Sequence, residues 1–170
     1  MSPEVEPVDG SRLCLACGLC CQGLLHDWAQ IEEGEIEDAR RLGLRTQEQK
    51  GEASFALPCP CHRDGRCTAY QERLSPCREY RCKLLRGYLA GDVTLGAGLR
   101  RVEQVKQLIA AIRHRLGAAE EGASIWQQLR ATPTGEVAAD AALQLESTAL
   151  LMQCRKHFWN PEETQGRAAS

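Results

Sequence analysis

The chain has 170 residues, ten of them cysteines, and a formal net charge of −2. This length is typical of one domain, or of one domain with a small appended module. Hydrophobic residues make up 43% of the chain and charged residues 26%, which excludes a wholly disordered or collagen-like protein. No apolar run approaches the roughly 20 residues that a transmembrane helix needs. Aromatic residues are only 5%, so we expect a core of Leu, Ala, Ile and Val, which suits helices.

The N-terminal sequence MSPEVEPVDGSRL is acidic and lacks the basic start and apolar stretch of a secretory signal. We therefore expect a cytoplasmic protein with a flexible tail over residues 1–13. Structural disulfides are rare in the reducing cytosol. The cysteines are accordingly interpreted first as metal ligands, with redox chemistry, disulfides and buried thiols as alternatives.

The cysteines fall into two clusters. The first is Cys14, Cys17, Cys20 and Cys21; the second is Cys59, Cys61, Cys67, Cys77 and Cys82; Cys154 lies apart. They predict a metal-binding module over residues 14–82. A helical region over 83–160 is expected to pack on this module, followed by a flexible tail over 161–170. The predicted fold class is mainly α, a small irregular cysteine-rich metal module packed on a helical hairpin or bundle.

In the first half of the chain, the sequence predicts short elements. A strand is expected within residues 24–31, then a helix over 32–42 that stops at Gly43. Residues 45–57 are predicted to form a loop, with a short strand at 54–57. Asp64-Gly65 predicts a tight turn with Cys61 and Cys67 facing each other across it.

In the second half, the pattern is helical. A helix is expected from Tyr80 to Leu89, and a short segment around 125–129. The spacing of three and four residues along Val102, Val105, Ile109, Ile112 and Leu116 predicts a long amphipathic helix. Another long helix is predicted over 136–158. Its apolar stripe is Val137, Ala141, Leu145, Ala149 and Met152, with Leu143, Leu150, Leu151 and Cys154 beside it. The two long helices indicate an antiparallel pair.

The first cluster places three sulfurs around a tight loop, with Gly18 free to adopt a positive φ. Runs of C-x2-C-x2-C hold clusters in bacterial ferredoxins, and C-x2-C pairs bind zinc, so both metals are open. Cys20 and Cys21 are adjacent, and their side chains should point in different directions. One is expected to join Cys14 and Cys17, and the other to serve a second metal, a bridge or the core.

The second cluster has enough thiols to complete one site and to contribute to another. His62, next to Cys61, is interpreted either as a zinc ligand or as a solvated side chain. Cys154 lies on an apolar helical stripe and is expected to be a buried thiol.

Charge divides the chain into an acidic start, a basic middle and an acidic end, with net charges of −6 over residues 1–58, +7 over 59–116 and −3 over 117–170. The arginines of the middle segment are interpreted as offsetting the charge of metal-bound thiolates, as a solvated face, or as phosphate contacts. We favour the first interpretation, so nucleic acid is not an expected partner.

Together, CLACGLCC and CTAYQERLSPCREYRC resemble the CxxCxxCC family of zinc- or iron-chelating domains, also called YkgJ-type cysteine-cluster proteins. Matching positions are Cys14, Cys17, Gly18, Cys20 and Cys21, then Cys67, Tyr70, Arg73, Cys77 and Arg78. Leu74 stands where the family has proline. For the upstream cysteine position, Cys59 fits the family spacing to Cys67 better, and Cys61 is an extra cysteine. The resemblance covers about residues 14–82 and implies that Tyr70, Arg73 and Arg78 orient the thiolates.

As metal ligands we predict all nine cysteines of the two clusters. The related flagellin lysine N-methylases carry a similar cluster, described as iron–sulfur, but the chain has no glycine-rich strand–turn–helix for a methyl donor. The sequence favours an iron–sulfur protein, [4Fe–4S] first, in electron transfer, sensing or accessory catalysis. The alternative is a structural zinc module that mediates protein interaction; a metal-dependent enzyme and a metal store are weaker hypotheses. Expected partners are a metal ion or cluster and, with zinc, a protein; no membrane partner is expected.

Overall fold

The computed structural model describes residues 10–49, 51–117 and 122–162. These residues form α1 (Ser11–Cys17), α2 (Ile36–Arg41), α3 (Ser75–Glu79), α4 (Lys83–Leu89), α5 (Leu95–Leu116), α6 (Ile125–Ala131), α7 (Thr134–Ala139) and α8 (Ala141–Gln153). The strands are β1 (Trp28–Ile31), β2 (Thr46–Gln49), β3 (Glu52–Ala56), β4 (His62–Arg63) and β5 (Arg66–Cys67). The predicted mainly α fold is confirmed. No helix in the described ranges is both long and apolar enough to cross a membrane.

The three-stranded sheet has the antiparallel order β1-β3-β2, with Phe55 of β3 opposite Ala29 on one side and Thr46 on the other. The prediction of a loop over 45–57 is wrong in its first part, because the segment is a hairpin that turns at Gly51, where φ is 81°. The short strand predicted at 54–57 overlaps β3. β2 is a polar edge strand with no apolar alternation, and its partner β3 supplies the buried residues. A strand that depends on pairing in this way leaves little trace in its own sequence.

A second, two-stranded ribbon joins β4 and β5. Asp64 and Gly65 form the predicted turn, with φ of 48° and 74°, the positive pair that suits a tight hairpin. His62 pairs with Cys67 in this register. The prediction that Cys61 would face Cys67 is therefore wrong by one residue. Since neighbouring residues of a strand point to opposite faces, this slip separates Cys61 from Cys67.

The long amphipathic helix is confirmed as α5. The Thr94 hydroxyl accepts from the Ala97 amide at 3.2 Å at its start, and Gly117 ends it. Its buried face includes Val102, Val105, Ile109 and Ile112, as predicted. Arg115 near its end donates to Glu146 of α8 at 2.8 Å.

The second long helix is divided. Asp140 is extended rather than helical. Its carboxylate accepts hydrogen bonds from the amides of Ala142 and Leu143 and so caps the start of α8. After Gln153 the chain widens into a π-helical turn over Cys154–Phe158. The predicted apolar stripe is wrong at three positions, because Ala141 is exposed, Leu145 is 71% exposed and Met152 is 65% exposed. The neighbouring side chains Leu143, Leu150 and Cys154 are the ones that enter the core.

Two apolar clusters support the fold. The larger, which we call the helical core, joins α5 and α8 to Leu13 before the first cysteine cluster, to Leu19 within it, and to Leu84 of α4. The smaller, the sheet core, lies between the sheet and the second cysteine cluster and includes Phe55 and Leu74. Residues 11–13, predicted as part of a tail, are helical, and Leu13 packs over Gly98 of α5. Residues 1–9 and 163–170 of the predicted tails lie outside the described residues.

Candidate metal centre

One cavity of about 640 Å³ gathers the cysteines of both clusters. Eight of the nine predicted ligands line it: Cys14, Cys17, Cys20, Cys21, Cys59, Cys67, Cys77 and Cys82. The rest of the wall is mainly apolar and includes Leu13, Phe55 and Leu57. None of the ten cysteines takes part in a disulfide.

The first cluster is shaped by the end of α1. Cys14 and Cys17 lie one turn apart on this helix, which ends when the Gly18 amide donates to the Cys14 carbonyl at 3.2 Å. Gly18 has a φ of 64°, and a Cβ at this position would collide with the His62 ring. Glycine is thus required twice here, by the left-handed backbone and by the approach of His62.

Cys20 and Cys21 separate into different surroundings, as predicted. Cys20 and Cys17 pack against the helical core. Cys21 is tied to the second cluster, because its carbonyl accepts from the Cys59 amide at 2.8 Å. Cys59 and Cys67 pack against the sheet core.

The remaining cysteines enter from separate elements. Cys77 lies on α3, and Cys82 is the N-cap of α4, where its sulfur accepts from the Leu85 amide at 3.4 Å. Cys82 belongs to the helical core, against which Cys17 and Cys20 also pack. Cys82 therefore lies on the same side of the cavity as these two residues of the first cluster. The helix predicted from Tyr80 to Leu89 is shorter in the structure, because α4 begins only at Lys83, directly after the Cys82 cap.

Cys61 is the predicted ligand that does not line the cavity. It is buried in the sheet core, where its thiol donates to the Leu42 carbonyl at 3.5 Å. Cys154 is fully buried in the helical core and also lies off the cavity wall, as expected for a structural thiol.

Burial makes five of the cavity thiols poor acids. Burial raises the pKa of Cys17 to about 12, with the charges of Cys82 and Cys14 adding to the effect. Burial also raises the pKa of Cys20 well above its usual 9.0, with Cys82 and then Cys17 as its charged neighbours. These sulfurs stay protonated unless a cation offsets their charge. A bound metal deprotonates such ligands outright.

Burial also raises the pKa of three further thiols on the cavity wall. Burial raises the pKa of Cys21 to about 12, with Cys77 and Cys67 as its strongest charged neighbours. Burial raises the pKa of Cys59 to about 12 and that of Cys77 to about 11, and the charge of Cys59 adds to the shift of Cys77. Buried thiols in an apolar cavity are a donor set for thiophilic metals and iron–sulfur clusters.

The thiols surround the cavity without meeting at one point. In the described ranges, no three His, Cys, Asp or Glu side chains stand where they could together hold a metal ion as arranged. The donor set fits a metal by its chemistry, eight thiols on a mainly apolar wall, rather than by a closed polyhedron.

Two of the three residues expected to orient the thiolates lie at the cavity. The Arg73 guanidinium stacks 3.6 Å above the Tyr70 ring, and its Nε donates to the Tyr70 carbonyl at 2.9 Å. Arg78 is exposed and does not line the wall. It donates instead to the Arg73 carbonyl and pairs with Glu35 at 3.4 Å.

Glu35 was not among the site residues predicted from the sequence. Its carboxylate accepts from the amide of Ser75 at 2.8 Å and from the Ser75 hydroxyl, which fixes the start of the helix that carries Cys77. Burial opposes ionisation of Glu35, but hydrogen bonds from Ser75 and Glu32, with Arg78 nearby, outweigh it and lower its pKa. Nothing in the local sequence marks this role, because Ser75 is forty residues away.

Two histidines also line the cavity. His62 contacts Gly18, and burial, with the charge of Lys106 adding, lowers its pKa, so a neutral ring is favoured. His26 meets the Tyr80 ring edge to face at 4.7 Å between centroids, and both residues lie on the wall.

A family model matches residues 13–106, more than half of the chain; it is described as "CxxCxxCC: Putative zinc- or iron-chelating domain". The chain belongs to this family. The match confirms the resemblance carried by the two cysteine motifs, and it extends beyond them into the first half of α5. No curated protein and no solved structure matched the chain. For the CxxCxxCC family, chelation of zinc or iron is the property that agrees with a cavity walled by eight thiols.

Proposed function

We propose that this protein binds an iron–sulfur cluster in the cysteine cavity, with [4Fe–4S] as the first candidate. Its role would be in electron transfer, sensing or accessory catalysis. The observation that carries the proposal is the gathering of eight thiols at one mainly apolar cavity. One structural zinc ion takes four ligands, as one [4Fe–4S] cluster does, so eight thiols are enough for two centres of either kind. Cysteine thiolates are the usual ligands of iron–sulfur clusters, and burial tunes cluster potentials.

We further propose that the eight thiols form two sets of four. The first set, which we call the helical set, is Cys14, Cys17, Cys20 and Cys82. The second, the sheet set, is Cys21, Cys59, Cys67 and Cys77. Packing supports the division, because Cys17, Cys20 and Cys82 contact the helical core whereas Cys59 and Cys67 contact the sheet core.

Electrostatics support the same division. Cys82 is the foremost charged neighbour of both Cys17 and Cys20. In the other set, Cys21 is affected first by Cys77 and then by Cys67. Cys14 acts on both Cys20 and Cys21, so the two sets adjoin each other near α1.

In such centres the bound group would supply one-electron chemistry, and the protein would determine its surroundings. Cys82 would bring a sulfur that already accepts a backbone hydrogen bond, which stabilises negative charge on sulfur. Arg73, fixed over Tyr70, would place a cation beside the thiolates. The apolar wall would limit water, with Leu13, Leu57 and Leu84 among its residues.

The alternative is zinc in a structural role with a protein partner. Each set has four thiolates, the complement of a closed tetrahedral zinc site, and this count favours zinc as the second candidate. Metal binding would then contribute mainly to folding.

One experiment separates the two metals. The protein is purified without oxygen, its visible spectrum is recorded, and iron, acid-labile sulfide and zinc are measured per chain. Broad absorbance at about 400 nm, together with equal amounts of iron and acid-labile sulfide, supports the cluster. A colourless protein with one or two zinc ions per chain contradicts it and supports the zinc module, and a protein without metal contradicts both.

A further inference from the structure

A second cavity, of about 750 Å³, adjoins the cysteine cavity. Cys21, Cys59 and His62 line both cavities and form the wall between them. We call the second cavity the basic cleft, because its charged residues are Arg45, Lys106 and Arg113 and, among the residues that the structure describes, no Asp or Glu lines it. Its volume is in the range of sites for small molecules.

No carboxylate of the described part of the chain offsets the three cations. Within the described ranges, none of Arg45, Lys106 and Arg113 forms an ion pair. Other arginines of the fold do pair, as Arg115 does with Glu146 of α8. Three like charges around one cleft repel each other, and an anion between them would remove that cost.

One of the cations is anchored by a hydrogen bond, and another is partly buried. The Lys106 ammonium donates to the Ala16 carbonyl at the end of α1 at 2.7 Å, which anchors the amine beside the first cysteine cluster. Arg113 is half-buried, and its Nε is fully buried with no acceptor among the described residues. Burial lowers the pKa of Arg113, the expected effect of taking a guanidinium out of water without a partner. Preorganised donors of this kind favour oxyanions, for which the guanidinium fork is suited.

We propose that the basic cleft binds a small molecule through a carboxylate or phosphate group, and so places that molecule against the wall formed by Cys21, Cys59 and His62. Its placement beside a metal centre rests on the proposed function, whereas its affinity for an anion does not. The ligand would approach the sheet set of thiols rather than the helical set. This makes the sheet set the one whose chemistry a bound molecule can reach.

The test is calorimetric titration of the full chain, as purified with its metal, against citrate and inorganic phosphate, with glycerol as the uncharged control. We expect saturable binding of at least one anion, weakened by added salt, and no binding of glycerol. The tighter of the two probes identifies the group that the cleft prefers. Arg113→Gln and Arg45→Gln should each weaken binding by about tenfold or more, because each removes a charge-assisted contact.

Arg100→Gln is the matched control, since Arg100 is an exposed cation of the same helix that does not line the cleft. It should bind the anion as the parent protein does, and thermal unfolding of each variant confirms that it is folded. Absence of saturable binding with both anions, or an equal loss in Arg100→Gln, would overturn the proposal. Metal content is measured on the same samples. Anion binding by a protein without metal would refute the proposed function alone, and a metal-loaded protein that binds neither anion would refute only this inference.

Discussion

The Cys59 amide donates to the Cys21 carbonyl at 2.8 Å, so a single backbone hydrogen bond joins the two cysteine clusters. Cys21 immediately follows Cys20, yet this bond ties Cys21 to the sheet side while Cys20 packs against the helical core. The peptide between two adjacent cysteines thus lies on the boundary between the two proposed centres. The predictions below follow from this arrangement.

The two sets of thiols should lose metal independently. Cys82→Ser should remove about half of the bound metal and leave the sheet set loaded, and Cys67→Ser should do the reverse, because each set needs its fourth thiolate. The double variant should hold almost none. Iron, sulfide and zinc per chain are the measurements.

Cys61→Ser and Cys154→Ser are the controls, since neither cysteine lines the cavity. Both should keep the full metal content. If Cys82→Ser or Cys67→Ser alone strips all metal, the protein holds one shared centre and the division into two sets is wrong.

Gly18→Ala should destabilise the protein by more than the backbone strain alone. A left-handed non-glycine residue costs about 1–2 kcal/mol, and the added methyl group also meets His62. Thermal or denaturant unfolding measures the loss. In a Gly18→Ala, His62→Ala double variant the steric part should be relieved, so the second substitution should restore stability rather than lower it further.

Gly34→Ala is the matched control, because no atom lies within 4 Å of a Cβ built there. Its stability should be close to that of the parent protein. A loss equal to that of Gly18→Ala would show that contact with His62 and backbone conformation have no part in the effect.

Glu35 should stabilise the fold at neutral pH and lose this effect in acid. Its folded pKa lies below the ordinary 4.5, so its contribution is fully present above 4.5 and disappears as pH falls through the folded pKa. Glu35→Gln should be less stable at pH 7 and should show a shallower loss of stability below about pH 5. Unfolding free energy against pH is the measurement, and parallel profiles for the two proteins would contradict the assignment.

Glu37→Gln offers a comparison on the same segment, since Glu37 is largely exposed and pairs only with Arg40 at 3.6 Å. Surface pairs of this kind contribute little. This variant should follow the parent profile.

Metal binding should release protons and strengthen as pH rises. The pKa of Cys17, Cys21 and Cys59 is raised to about 12, so these thiols are protonated in the metal-free protein at pH 7. Filling one set of four should release about four protons, because every ligating thiol must give up its proton. Titration of the metal-free protein with zinc in buffers of different ionisation enthalpy counts them, and a count near zero would contradict protonated thiols.

Local patterns determined much of this protein. The two cysteine motifs, the turn at Asp64-Gly65 and the buried face of α5 were all predicted, because each depends on neighbours within a few residues or on a helical period. The parting of Cys20 from Cys21 also followed from adjacency alone. Membership of the CxxCxxCC family rests on the same local motifs.

Tertiary structure decided the rest, because these features depend on contacts between distant segments. Family spacing favours Cys59 over Cys61 as a ligand, but only the packing shows that Cys61 is buried in the sheet core while Cys59 lies on the cavity wall. The exposed Leu145 and buried Leu143 differ only in which side of α8 faces α5. The basic cleft brings Arg45 to Arg113 of α5, and no periodicity could place these charges together. Sequence showed which residues can ligate a metal, and packing of two cores against each other determines which of them share a cavity.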